Sequence, residues 1–224
     1  MRKLPVIISL CLLLEVFGCS PEVSQYVSKQ NSSSHLQVTE ESIKQNSQDI
    51  TFPQITGLDD QAKENTVNNL LRNQATEFVK STLPWQDKTF YGRYKVQYQD
   101  KNILSVYYTE SINAEKVAHP ANMTSSVTIN LNTGEKLTLD NLFKVNSGYS
   151  AILLQDMEKQ VKEKNLNLFE ALPQPSGNQD FYITSTSLVL YFQPAVYTPD
   201  YYGVLEFAIP LDSLKELLNT DLLT

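Results

Sequence analysis

From Thr124 to Leu131 the chain alternates strictly. Val127, Ile129 and Leu131 fall on one side, and Thr124, Ser126, Thr128 and Asn130 on the other. This period of two predicts a strand with one covered face and one wetter face. Asn132-Thr133-Gly134 reads as a hairpin turn, after which Lys136–Leu139 returns. An earlier pair has the same character. Phe90, Tyr94, Val96 and Tyr98 share one parity, and Tyr91, Arg93, Lys95 and Gln97 the other. Asp100-Lys101-Asn102 turns the chain, and Leu104, Val106, Tyr108 and Ile112 then alternate with more polar neighbours. Near the end, Phe181–Thr184 and Leu188–Phe192 pair around Ser185-Thr186. Leu205, Phe207 and Ile209 form a last strand closed by Pro210.

A different period marks the helices. Val67, Leu70, Leu71, Ala75 and Phe78 recur at threes and fours, predicting a helix over Ala62–Lys80. Ser147 reads as the N-cap of a second helix whose inner side carries Ile152, Leu153, Met157 and Val161. Leu172–Asn178, with Pro173, Pro175 and Gly177, is a loop. Leu211, Leu214, Leu217 and Leu218 mark a short final helix. The order predicts an α+β fold: antiparallel sheets with packed helices, arranged as two similar helix-plus-strands halves.

The first residues follow neither period. Arg2 and Lys3 precede an apolar run from Leu4 to Phe17, which ends at Gly18-Cys19 before polar sequence resumes. Residues 1–18 read as a secretory leader, and Cys19 as the acylated first residue of a membrane-anchored lipoprotein. Glu15 within the run and bulky Phe17 keep a plain signal peptide and an uncleaved anchor as alternatives. Residues 19–48 are rich in Ser, Gln, Asn, Lys and Glu and predict a flexible tether. The folded domain is expected over 49–224, with a subdivision near 113–120.

The leader limits the chemistry. Cys11 is lost with it, so Cys19 is the last cysteine and no internal disulfide or thiolate metal site can form. Removing Arg2, Lys3 and Glu15 from 18 basic and 25 acidic residues leaves 16 and 24. Such a chain suits cationic partners and is a poor match for nucleic acid. Catalytic patterns are thin. The two histidines, His35 and His119, lie far apart, no G-x-S-x-G elbow occurs, and seven glycines include no phosphate loop. Asp59-Asp60 stands where a helix begins and suits its dipole. No catalytic residue, cofactor or metal is expected. Tyr191, Phe192, Tyr197, Tyr201 and Tyr202 crowd together with Pro194, Pro199 and Asp200. The cluster forms either a stiff contact surface or a lid folded back on the core. Tyr197, Asp200, Tyr201 and Tyr202 are the candidate binding residues. His119, in the connection before the third strand, is next, with capping or packing a turn as its alternative role.

The order of several motifs resembles a known family. Pro53–Leu58 (PQITGL) is similar to a "YPxIxGL" opening, Ala118-His119-Pro120 to a "GGAHP" loop, and Thr128–Phe143 (TINLNTGEKLTLDNLF) to "FDLKTGKxLTLxDLF". Phe181–Phe192 followed by Tyr201–Leu214 resembles its closing run. The resemblance spans about residues 50–218 and is to the extracytoplasmic domain of lysozyme-sensing anti-sigma factors, also found beside polysaccharide deacetylases. It implies an α+β binding module of the cell envelope, with a lysozyme-like muramidase or a peptidoglycan glycan as partner. Lys116 and Val117 replace the family's two glycines, and "APYxxG" reads Thr198–Gly203. No sigma-binding segment precedes the leader, so holding a sigma factor is not expected. The competing readings are a cell-wall hydrolase or deacetylase and a structural envelope lipoprotein.

Overall fold

The computed structural model describes residues 36–81, 87–115, 119–219 and 222. The leader, Cys19 and His35 lie outside these residues. Two sheets carry the fold. The larger takes β1 (Gln37–Gln45), β2 (Gln48–Thr56), β3 (Lys88–Gln99), β4 (Ile103–Ala114), β5 (Ala121–Asn130) and β6 (Glu135–Lys136), in that order. The smaller takes β7 (Phe181–Ile183), β8 (Ser187–Phe192) and β9 (Leu205–Pro210). Helix α1 (Gln61–Ser81) joins β2 to β3. Helix α2 (Tyr149–Glu163) precedes the small sheet, and α3 (Leu211–Leu214) follows it. The α+β expectation holds. Pairing is antiparallel except between β2 and β3, which run parallel because α1 carries the chain back.

Each sheet has its own core. Val67, Leu71, Ala75 and Phe78 of α1 pack on Ile50, Phe90, Leu104, Val106, Val127 and Ile129. Leu153 and Met157 of α2 pack with Leu188, Leu190, Phe207 and Ile209. Leu131 and Phe207 are buried, as their parity predicts. Asp60 accepts hydrogen bonds from the Ala62 and Lys63 amides at 2.9 and 3.1 Å, so this carboxylate caps α1.

Four expectations are corrected. The predicted tether ran to residue 48, yet Gln37–Gln45 forms β1, paired along its whole length with β2. A strand needs only a neighbour's backbone, and Val38 and Ile43 alone bring it onto the core. Tyr98 leaves the face of Tyr94 and Val96. A bulge at Gln97 shifts the β3–β4 register, pairing Val96 with Val106 but Tyr98 with Ser105. Tyr98 therefore packs on the second core. Helix α2 is capped by Gly148 at φ 69° and not by Ser147, and Ile152 points to solvent. Finally, the polar face of β4 and β5 is covered. Ser105 and Thr128 are buried and share a 2.8 Å hydrogen bond. Ser105 Oγ also accepts from the Ile183 amide, and Ser126 Oγ donates to the Phe181 carbonyl. Short hydroxyls fit between two sheets because each finds a partner there.

Candidate functional site

The β8–β9 connection, residues 193–204, holds most of the candidate residues. Its stem is fixed to the large sheet by Gln193. The Thr124 amide donates to Gln193 Oε1 at 3.0 Å, and Gln193 Nε2 donates to the Thr124 carbonyl at 2.7 Å. One side chain thus occupies both backbone groups of an edge-strand residue. Asn68 of α1 brackets Ile55 in the same way. Gln193→Ala is expected to cost about 1–3 kcal/mol, because it strips two partly buried groups of their partner. Urea unfolding checks this.

Further along, the loop divides its aromatics. Tyr191 is buried, with its hydroxyl donating to Ser126 Oγ at 2.9 Å. Burial raises its pKa, as it does for Tyr107 and Tyr182, which sit edge-on to one another at 5.0 Å. Tyr197 folds back edge-on against Phe192 at 4.7 Å, and Phe192 meets Phe207 at 6.2 Å. The Tyr197 carbonyl accepts the Phe169 amide at 2.9 Å. Tyr197 is therefore an anchor. Tyr201 and Tyr202 do the opposite. They are 83% and 43% exposed and stack on each other at 4.9 Å. The cluster is thus divided: Tyr191 and Tyr197 turn toward the core, while Tyr201 and Tyr202 stay exposed.

A tight turn presents that stack. The Tyr202 amide bonds the Pro199 carbonyl and the Gly203 amide bonds the Asp200 carbonyl, each at 2.9 Å. Gly203 has φ 71° and ψ −146°, a conformation that costs a side-chain-bearing residue. Asp200 opens the turn with an exposed side chain. Exposed Val196 belongs to the same loop.

The loop's two ends, Pro194 and Val204, form one wall of a groove of about 390 Å³, facing Tyr91, Arg93, Tyr107 and Met123 of the large sheet. Arg93 is already committed, with Nη2 3.0 Å from the Asp49 carboxylate and Nη1 2.8 Å from its carbonyl. His119 is exposed, just before β5, whose Asn122, Met123 and Thr124 reach the groove. Among the described residues no hydrogen bond or ring contact joins His119 to Tyr201 or Tyr202.

Glu110 went unnoticed in the sequence. It carries the inward parity of Tyr108 and Ile112 and is buried. Ser125 Oγ donates to it at 2.6 Å. Burial nevertheless pushes its carboxyl up to about 7, and the Ser125 bond only partly opposes that. A glutamate on the apolar parity of a strand was the signal. Among the described residues, no three His, Cys, Asp or Glu side chains are grouped to hold a metal ion. No helix there is long and apolar enough to cross a membrane.

Comparison with known proteins meets the motif resemblance. Residues 140–212 match the family described as protein of unknown function DUF3298. Anti-sigma-V factor RsiV of Bacillus subtilis is 26% identical over 189 residues, covering 78% of this chain and 66% of that protein. The chain thus spans just under two thirds of that relative's length. Crystal structures of DUF3298 family members share the fold. The one from Bacteroides fragilis has a TM-score of 0.59 at 16% identity, covering 83% of this chain and 94% of its own. One from Pseudomonas aeruginosa PAO1 also reaches 0.59, at 11% identity, covering 84% and 94%.

Proposed function

We propose that this chain is an extracytoplasmic, non-catalytic binding module that docks a basic protein of the lysozyme kind on Asp200, Tyr201 and Tyr202. The observation that carries this reading is the exposed Tyr201–Tyr202 stack on a braced turn. The two rings stack on each other on a turn closed by backbone hydrogen bonds, which lowers the freedom they lose on binding. Tyrosine offers a large contact area at low entropic cost. Asp200 beside them supplies a carboxylate for Arg or Lys. The ring series Tyr197, Phe192, Phe207 ties the loop to the core, so the surface is presented rigidly. The acidic balance of the chain adds steering towards a cationic partner. The relative described as an anti-sigma factor favours a sensing or binding role over turnover. Acylation of Cys19 would hold the module at the membrane, and labelling with a fatty-acid probe tests that attachment.

The double variant Asp200→Ala/Tyr201→Ala is expected to weaken lysozyme binding ~30-fold, a loss of about 2 kcal/mol for removing a contact anchor. Its circular dichroism should match wild type, because both side chains are exposed. Affinity that the variant leaves unchanged would move the site off this loop. Stacking of sugar rings on the tyrosines would instead give binding to peptidoglycan that salt does not weaken.

A further inference from the structure

The two edges of the large sheet are treated differently. On the β5 side, Gln193 occupies Thr124, the Leu137 amide bonds the Thr128 carbonyl at 2.8 Å, and the two-residue β6 adds a short cover. On the β1 side, no further strand pairs among the described residues. Strand β1 is nine residues long, contains no proline or bulge, and pairs only with β2 among the described residues. Long unpaired edges template further pairing unless they are shortened, kinked or blocked by charge.

The free backbone groups can be assigned. Asn46 and Ser47, at φ 50° and 60°, form a two-residue turn between Gln45 and Gln48. In such a turn the first carbonyl bonds the fourth amide, so Gln45 faces β2. Alternation then turns the backbone of Val38, Glu40, Ser42 and Lys44 outward.

Charge selects what fits this edge. Consider a second β1 running antiparallel across a two-fold axis. With the axis at Glu40 or Glu41, that glutamate faces its own copy. With the axis at Ile43, no opposite charges meet. With the axis at Ser42, Glu40 lies opposite Lys44 twice over, and the outward groups of each strand face those of the other. No ion pair engages Glu40 or Lys44 among the described residues. We infer that β1 is a self-association edge, on which a second copy of this chain adds its own β1 in the register centred on Ser42. The same charges that deter other strands admit this one.

Sedimentation equilibrium of the purified protein tests the inference. Wild type should dimerise reversibly. Glu40→Lys should weaken the dimer about tenfold, because it places like charges opposite each other at two symmetric positions. Lys44→Glu should do the same, and Glu40→Lys/Lys44→Glu should restore the dimer. Ser42→Pro should abolish it, since proline removes an outward amide at the axis while β1–β2 pairing survives. Circular dichroism would verify that each variant folds. A wild type that stays monomeric overturns the inference. So does a dimer indifferent to Glu40→Lys and Ser42→Pro, or a double variant that fails to recover.

Discussion

Phe207→Ala is expected to lower the melting temperature by about 10 °C or more. Phe207 is fully buried at the centre of β9, facing Leu190 across the small sheet. Its ring meets Phe192 edge-on, and the Lys164 ammonium lies 5.7 Å over its face. Truncation removes these contacts and leaves a cavity, at a cost of about 3–5 kcal/mol. In a domain of this size each kcal/mol corresponds to roughly 2–4 °C. The effect should not stop at stability. Phe192 loses its backing, and Tyr197 rests on Phe192, so the loop bearing Tyr201 and Tyr202 loosens. Thermal unfolding followed by circular dichroism gives the first quantity. An unchanged melting temperature would mean that the β9 register is wrong.

Glu110→Gln is expected to stabilise the protein above neutral pH. The folded carboxyl titrates at about 7, whereas an unburied one titrates near 4.5. Below the lower value both states carry the proton, and the group costs nothing. Between the two values the unfolded chain releases its proton while the folded chain retains it. Stability therefore falls as pH rises through that interval, and the loss is complete above pH 7. The shift corresponds to about 3 kcal/mol. Glutamine cannot ionise and can still accept the Ser125 hydrogen bond. The variant should match wild type near pH 4 and exceed it by about 3 kcal/mol at pH 8, measured by urea unfolding at each pH. Parallel profiles for the two proteins would show that Glu110 does not ionise in a dry site.

Most of the fold was legible because its strands obey simple parity. Val127, Ile129 and Leu131, or Leu205, Phe207 and Ile209, could face only one way once a helix covered that side. What stayed hidden depends on neighbours that no local pattern encodes. Polar β1 is a strand because β2 lies beside it. The face of Ser105, Thr128 and Ser126 looks solvated in sequence, yet hydroxyls can be buried when a second sheet supplies partners. The bulge at Gln97 reverses Tyr98 without any glycine or proline to announce it.

The candidate site was legible in part for a similar reason. Prolines and tyrosines between residues 194 and 202 announced a stiff aromatic loop. Which rings turn inward is decided by Phe192 and Phe207, which lie on strands outside it. Gln193 gave no sign of its role, since bracketing Thr124 requires a register that exists only after the sheets pack.

Titration calorimetry of the purified protein with lysozyme, at low and high salt, tests the proposed function most directly. Saturable binding is expected, weakened by added salt and weakened ~30-fold by Asp200→Ala/Tyr201→Ala. No binding, together with release of acetate or sugar from peptidoglycan by the wild-type protein, would contradict it.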